Sequence, residues 1–120
     1  MKTNKIIYWT TTGIISFMML FSAFSYLTNA DMKAAFVHLG FPDYFRIELA
    51  VLKVLGALTL LLPIASDKIK SFAYFGFALT FVSASIAHSV SGDPASAIVA
   101  PIIFLVILGV SYLFYNKIKA

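Results

Sequence analysis

The sequence predicts an all-α integral membrane protein: a four-helix bundle with a short amphipathic surface helix between spans one and two. Three observations carry that expectation. Of 120 residues, 61% are hydrophobic and only 12% are charged, against about 45–50% and about 25% in an ordinary soluble domain. Mean hydropathy is +0.94. Apolar runs of about 20 residues, enough to cross a bilayer's hydrocarbon core, recur four times with short connections. A soluble domain of this length still leaves roughly a third of its chain surface wet, so it could not hide so much apolar surface. Four spans take about 80 residues and leave no room for a soluble domain. The expectation is one membrane domain over 1–120, with any chemistry inside the bundle or in a loop.

Span one is expected over 6–28, with Tyr8 and Trp9 at its start and Tyr26 at its end, where amphipathic rings favour the interface. A signal peptide is the rival reading, because Lys2 and Lys5 precede the apolar run and Ala30 could end a cleavable segment. The run exceeds the roughly 7–15 residues of a signal h-region, which favours a retained span. In the connection that follows, Met32, Ala35, Phe36 and Leu39 fall on one helical face, with Asp31, Lys33 and His38 off it. That pattern predicts a helix over about 31–39 lying on the membrane surface, stopped by Gly40 and Pro42. Span two is expected over 44–64 with Pro63 at its exit, and span three over 71–90. Span four is expected over 95–115, after a Ser91–Pro94 turn in which Asp93 is a candidate N-cap and Pro94 a candidate first helical residue. Pro101 should kink it, which lipid-embedded bundles tolerate.

Lys and Arg set the expected orientation. Four spans put both termini and the 65–70 loop on one side, with Lys2, Lys5, Lys68, Lys70, Lys117 and Lys119. The other side has only Lys33 and Arg46. The positive-inside bias predicts a multi-pass protein of the cell membrane with both termini cytoplasmic. The net charge of +4 is thus read as topology, with no nucleic-acid partner. Without cysteine, disulfide relays, cysteine-ligated zinc and cysteine-ligated iron–sulfur clusters are excluded.

Span two holds the residues that need explaining. Arg46 and Glu48 lie near its start and Lys53 near its middle. Charges inside a span are rare and face the bundle interior or a wet cavity. Twelve Leu, Ile, Val and Phe residues at about −0.5 kcal/mol each outweigh about +3 for a central Lys, so the span still inserts. Lys53 lies about 13 Å from the near end at 1.5 Å per residue, too deep to snorkel fully. It can lean to Glu48, borrow hydroxyls such as Thr10, Thr11, Thr12, Ser16 or Thr80, lose its charge, or meet an acceptor on a ligand. Arg46, seven residues earlier, shares its face within about 20°, and can pair with Asp43 or with headgroup phosphates.

In span three, Gly76, Thr80, Ala84 and His88 form a small-residue stripe along which another helix could approach closely. His88 ends that stripe at the depth of Glu48, with Asp93, Tyr26 and His38 in the same layer. The candidate polar core or ligand site is therefore Glu48, Lys53, His88, Arg46 and Tyr26, with Glu48 and His88 expected to line one cavity. The structural alternative is polar glue that fixes helix packing. Two histidines in separate elements lack the paired spacing of a metal site, and a bis-histidine haem needs two well-held axial positions. No catalytic residue is assigned.

The stretch HLGFPDY (His38–Tyr44), with Glu48, Lys53 and Gly56 after it, and the stretch AHSVSGDP (Ala87–Pro94) resemble the DoxX-like family of small four-helix membrane proteins. The resemblance covers nearly the whole chain. It implies kinship with subunits of a thiosulfate:quinone oxidoreductase or with partners of membrane-associated oxidoreductase systems. It also implies that Glu48, Lys53 and His88 are the positions to carry over. Relatives acting through paired cysteines are no model for a chain that has none. The leading expectation is an accessory or hydrophobic-ligand-binding subunit, with a quinone- or lipid-like molecule between the helices. The expected partners are the bilayer, that small molecule, and oxidoreductase subunits or a second copy of the chain. The alternatives are a small enzyme using Glu48 and His88 as acid and base and a non-catalytic assembly protein. A transporter is disfavoured because no inverted repeat is visible.

Overall fold

The computed structural model describes residues 2–62 and 66–119. Its helices are α1 (Lys2–Thr28), α2 (Ala30–His38), α3 (Asp43–Leu61), α4 (Asp67–Val90) and α5 (Ala95–Lys119), with no strand among the described residues. Helices α1 and α4 begin earlier, and α5 ends later, than the apolar runs alone. Pro63, Ile64 and Ala65, where span two was expected to exit, lie outside the described residues.

Among the described residues three helices, α1, α4 and α5, are long and apolar enough to cross a membrane. Helix α3 falls short of that composition because Asp43, Arg46, Glu48 and Lys53 share its 19 residues. Its packing is nonetheless that of a full member. Helix α1 packs on α3 and α5, and α4 packs on α5 and α3, so the four long helices close a ring. Helix α2 lies across one end of it against α1 and α3.

Spacing explains which faces turn inward. Helix α1 buries Tyr8, Thr12, Ile15, Met19 and Ala23, and α4 buries Lys70, Tyr74, Phe77 and Phe81, each a stripe of threes and fours. The outward faces are apolar as well: Phe17, Phe24, Leu55, Phe72, Val106 and Leu113 are all exposed. Water would not tolerate so continuous an apolar surface, whereas lipid covers it without cost.

Several expectations about faces are corrected. The interface tyrosines Tyr8 and Tyr26 point inward. Tyr8 is in the core, with its ring 5.8 Å from that of Tyr115. The small-residue stripe of α4 does not receive a close helix. Gly76 is open, and nothing lies within 4 Å of a Cβ placed there. The aromatic side of α4 is buried instead, because rings fill interior volume that a Gly–Thr–Ala row would leave empty. The close approach is at Gly56 on α3, where a Cβ would come within 2.7 Å of the Phe77 ring. Helix α2 turns its stripe to the protein: Phe36 is buried, with Met32, Ala35 and Leu39 half-buried, while Asp31, Lys33, Val37 and His38 are exposed. Its apolar face is therefore spent on the bundle, not on a membrane surface.

Both short connections beside α2 and α5 are set by glycine. Gly40 and Gly92 have φ of 85° and 74°, the left-handed region glycine enters freely. At each, the two amides after the helix fold back onto its last turn: Gly40 and Phe41 onto Val37 and Phe36, Gly92 and Asp93 onto Ser89 and His88. This is a Schellman ending, in which the side chains at the third residue from the helix end and just past the glycine meet. After α2 the meeting pair is Phe36 and Phe41, 6.0 Å apart between ring centroids. After α4 it is His88 and Asp93, 2.6 Å apart.

Candidate functional site

At the α2 end, two cations on one face of α3 converge on a single residue of α1. Arg46 and Lys53 are both buried, at 8% and 6% exposure. Arg46 donates to the Tyr26 carbonyl in the last turn of α1 and, at 3.1 Å, to Asp43. It thereby satisfies a carbonyl left without a partner at a helix end. Lys53 Nζ donates to Tyr26 OH at 2.6 Å and to Ser22 Oγ at 2.9 Å. It also stands 4.0 Å from the Tyr26 ring centroid, within cation–π range. The Tyr26 ring meets Phe36 of α2 edge-on at 4.9 Å. Helix α2 is thus docked on the residue that holds both cations.

Beneath α2 the helices line an open cavity of about 400 Å³. All five helices line it: Met18, Ser22 and Tyr26 from α1, Met32 from α2, Lys53 from α3, Thr80, Phe81, Ala84 and His88 from α4, and Pro101 and Phe104 from α5. The walls are mostly apolar, with Lys53, its two hydroxyls, Ser25, Thr80 and His88 as polar points. Helix α5 runs unbroken through Pro101, and the Ser85 hydroxyl of α4 donates to the Ile98 carbonyl at 2.8 Å, in the turn before that proline. Such side-chain support is how membrane helices tolerate an interior proline.

His88 is fixed at the rim. Asp93 bridges two imidazoles, His88 Nδ1 at 2.6 Å and His38 Nε2 at 2.8 Å. An ionised carboxylate only accepts, so both ring nitrogens carry their hydrogens here. The hydrogen bond from His88 and then that from His38 hold the Asp93 carboxyl below its ordinary range. Asp93 therefore ties α2 to the α4–α5 turn, and its carboxylate is taken up by imidazoles instead of serving as the expected N-cap. Among the described residues no group of three His, Cys, Asp or Glu side chains is arranged to hold a metal ion.

The family model of the DoxX-like family matches residues 10–111. The chain belongs to the DoxX-like family. No curated protein and no solved structure shows significant similarity to it. The matched stretch of this DoxX-like protein contains the cavity, the Arg46–Tyr26–Lys53 contacts and the His38–Asp93–His88 bridge.

Of the five candidate residues, the structure brings Tyr26, Lys53 and His88 to the cavity and places Arg46 beside it, on Tyr26. Glu48 is the exception. It is exposed, lines no part of the cavity and makes no ion pair among the described residues. The cause is helical phase: 160° separates it from Arg46 and 140° from Lys53, so a helix that turns its cations inward turns Glu48 out. Glu48 and His88 do not share a cavity, which corrects the expected pair. Lys53 uses neither Glu48 nor the hydroxyls first considered. Ser22 and Tyr26 were missed as its partners, although their i, i+4 spacing on α1 marks one face.

A second polar cluster lies at the opposite end, near the termini. Ser111 Oγ joins Thr12 and Tyr74 hydroxyls, each at 2.6 Å. Lys70 Nζ donates to the carbonyls of Thr59 and Leu60 at 3.0 and 3.1 Å, and so caps the end of α3 as Arg46 caps α1. Both are basic side chains at helix C-termini, where the macrodipole also favours them. This cluster is built of satisfied contacts and reads as structural.

Proposed function

We propose that this DoxX-like membrane protein is an accessory, ligand-binding subunit that holds a hydrophobic, quinone- or lipid-like molecule in the cavity beneath α2. The observation that carries the reading is Lys53. A cation this deep in an apolar helix is unfavourable by about 3 kcal/mol or more, and among the described residues it has no acidic partner. It borders a mostly apolar cavity with a few convergent polar groups, which is the usual character of a small-molecule site. Association with a membrane oxidoreductase system is the role that family kinship adds. An acid–base enzyme built on Glu48 and His88 has less support, because the two groups lie apart.

The reading includes four membrane spans in the cell membrane. Helix α3 supports this: its 19 residues rise about 28 Å, Arg46 and Lys53 face inward, and Val51, Leu52, Leu55 and Leu58 are turned out. The test is mass spectrometry of protein purified gently in mild detergent. A stoichiometric quinone or lipid should come off the wild type and be lost from Lys53→Met. A protein that carries nothing, and takes up nothing offered, would sink the ligand reading. An assembly role would then remain, with Lys53 tying α3 to α1.

A further inference from the structure

The donors and acceptors around Lys53 specify the head of the ligand. An ammonium group has three hydrogens to give and accepts nothing. Two go to Ser22 Oγ and Tyr26 OH. Both hydroxyls are therefore acceptors toward Lys53, and each keeps its own hydrogen for another partner. Among the described residues neither hydroxyl donates to anything. Three donors are thus left unused at one point of the cavity wall: one Lys53 N–H, the Ser22 O–H and the Tyr26 O–H.

Charge points the same way. Asp43 pairs with Arg46, Asp67 with Lys119 at 3.6 Å, and Asp93 with the two histidines. Asp31 and Glu48 are exposed. No described acid neutralises Lys53, and a buried charge is costly unless it is paired. A group that accepts three hydrogen bonds and carries negative charge answers both deficits. An oxyanion head does so, and charge-assisted bonds to it are roughly twice as strong as neutral ones. The rest of the cavity, with Met18, Met19, Phe81, Pro101 and Phe104, suits a hydrocarbon tail and offers a free inorganic anion nothing. Met18, Met19 and Met32 give walls that adapt to a flexible chain.

We infer that the cavity binds a single-chain acidic amphiphile, with its carboxylate on Lys53, Ser22 and Tyr26 and its tail among the methionines and aromatic rings. The inference rests on the cavity being a ligand site, as proposed above, and names the ligand's chemical class.

The test is binding of dodecanoate, methyl dodecanoate and inorganic phosphate to the delipidated full-length protein in an uncharged detergent, read by native mass spectrometry. Dodecanoate should bind at one per chain and at least tenfold more tightly than its methyl ester. Lys53→Met should abolish that preference. The double variant Ser22→Ala/Tyr26→Phe, which keeps the charge and the ring, should weaken dodecanoate severalfold, and it serves if Lys53→Met does not fold. Equal, saturable binding of ester and acid would overturn the acidic head and leave the ligand cavity standing. Phosphate displacing dodecanoate at equal concentration would overturn the amphiphile in favour of a free anion. Saturable binding of none of the three would overturn both this inference and the cavity reading.

Discussion

His88 and Asp93 are joined at 2.6 Å because Gly92 lies between them in the left-handed conformation. A Schellman ending brings together the side chains that flank its glycine, and those are usually apolar, as Phe36 and Phe41 are after α2. At the end of α4 the same backbone instead joins an imidazole to a carboxylate, and that orients His88 at the cavity rim. A residue with a Cβ pays roughly 1–2 kcal/mol in this conformation. Gly92→Ala should therefore lower stability by about that much and loosen the His88–Asp93 contact. Thermal melts in detergent measure the first effect and the imidazole NMR signals the second. An unchanged melt together with unchanged His88 signals would show that the glycine is not needed.

Asp93 also makes the attachment of α2 depend on pH. Its carboxyl is held below the ordinary value of 3.8 by hydrogen bonds from His88 first and His38 second. A carboxyl with a lower pKa folded than unfolded adds stability above its unfolded value. That stability is lost as pH falls through the lowered folded value. The stability gap between wild type and Asp93→Asn should thus be full at neutral pH. It should close as pH is taken down from the ordinary carboxylate range through the lowered one. Hydrogen exchange should locate the loosening at residues 30–41 and leave the long helices protected. A gap that stays open after the pH has passed below the lowered carboxyl range would contradict this assignment of the bridge.

How far the sequence reveals this arrangement depends on what each signal encodes. Helix existence was legible because long apolar runs are nearly unambiguous, and the α2 stripe was legible from its threes and fours. The seven-residue spacing of Arg46 and Lys53 encodes their shared face, since phase along one helix is local information. Phase between helices is not local. Which way α3 faces, and hence that Glu48 points out, depends on packing against α1. Pairing of Lys53 with Ser22 and Tyr26 needs the register of two antiparallel helices. The buried side of α4 was misread because a small-residue stripe signals close approach only if a partner comes, whereas here the aromatic residues hold the core. The His88–Asp93 contact was readable in principle from the glycine between them, but its second imidazole, His38, comes from 55 residues away.

Lys70 counts toward the positive charge near the termini, yet its side chain is buried and caps α3. Lys70→Met keeps the aliphatic stem and leaves the Thr59 and Leu60 carbonyls without that donor. Unsatisfied buried groups cost about 1–3 kcal/mol, so the variant should be destabilised by that order while its orientation in the membrane stays the same. Denaturant titration in mixed micelles gives the first number and protease accessibility of the termini reports the second. A variant as stable as wild type would mean that water serves those carbonyls equally well.

The expected topology follows from which contacts lie at which end. Arg46 near the start of α3 reaches the last turn of α1, so the chain reverses at the α2 end. Lys70 near the start of α4 reaches the last turn of α3, so it reverses again at the other end. At that second end Tyr8 of α1 meets Tyr115 of α5, and Asp67 is joined by Tyr115 and Lys119. Both termini therefore lie at one end of the ring. With Lys70 set aside as a cap, that end still carries Lys2, Lys5, Lys68, Lys117 and Lys119, against Lys33 and Arg46 at the other. Arg46 is itself buried, so the free charge is more lopsided than the sequence count. By the positive-inside rule the termini should be cytoplasmic. Reporter fusions at residue 120 and after Asp67 should report cytoplasm, and fusions near Asp31 and Gly92 should report the outside. If the two termini fell on opposite sides, α3 would not cross the membrane. If both were outside, the bundle would stand but Lys33 alone would have to outweigh five lysines.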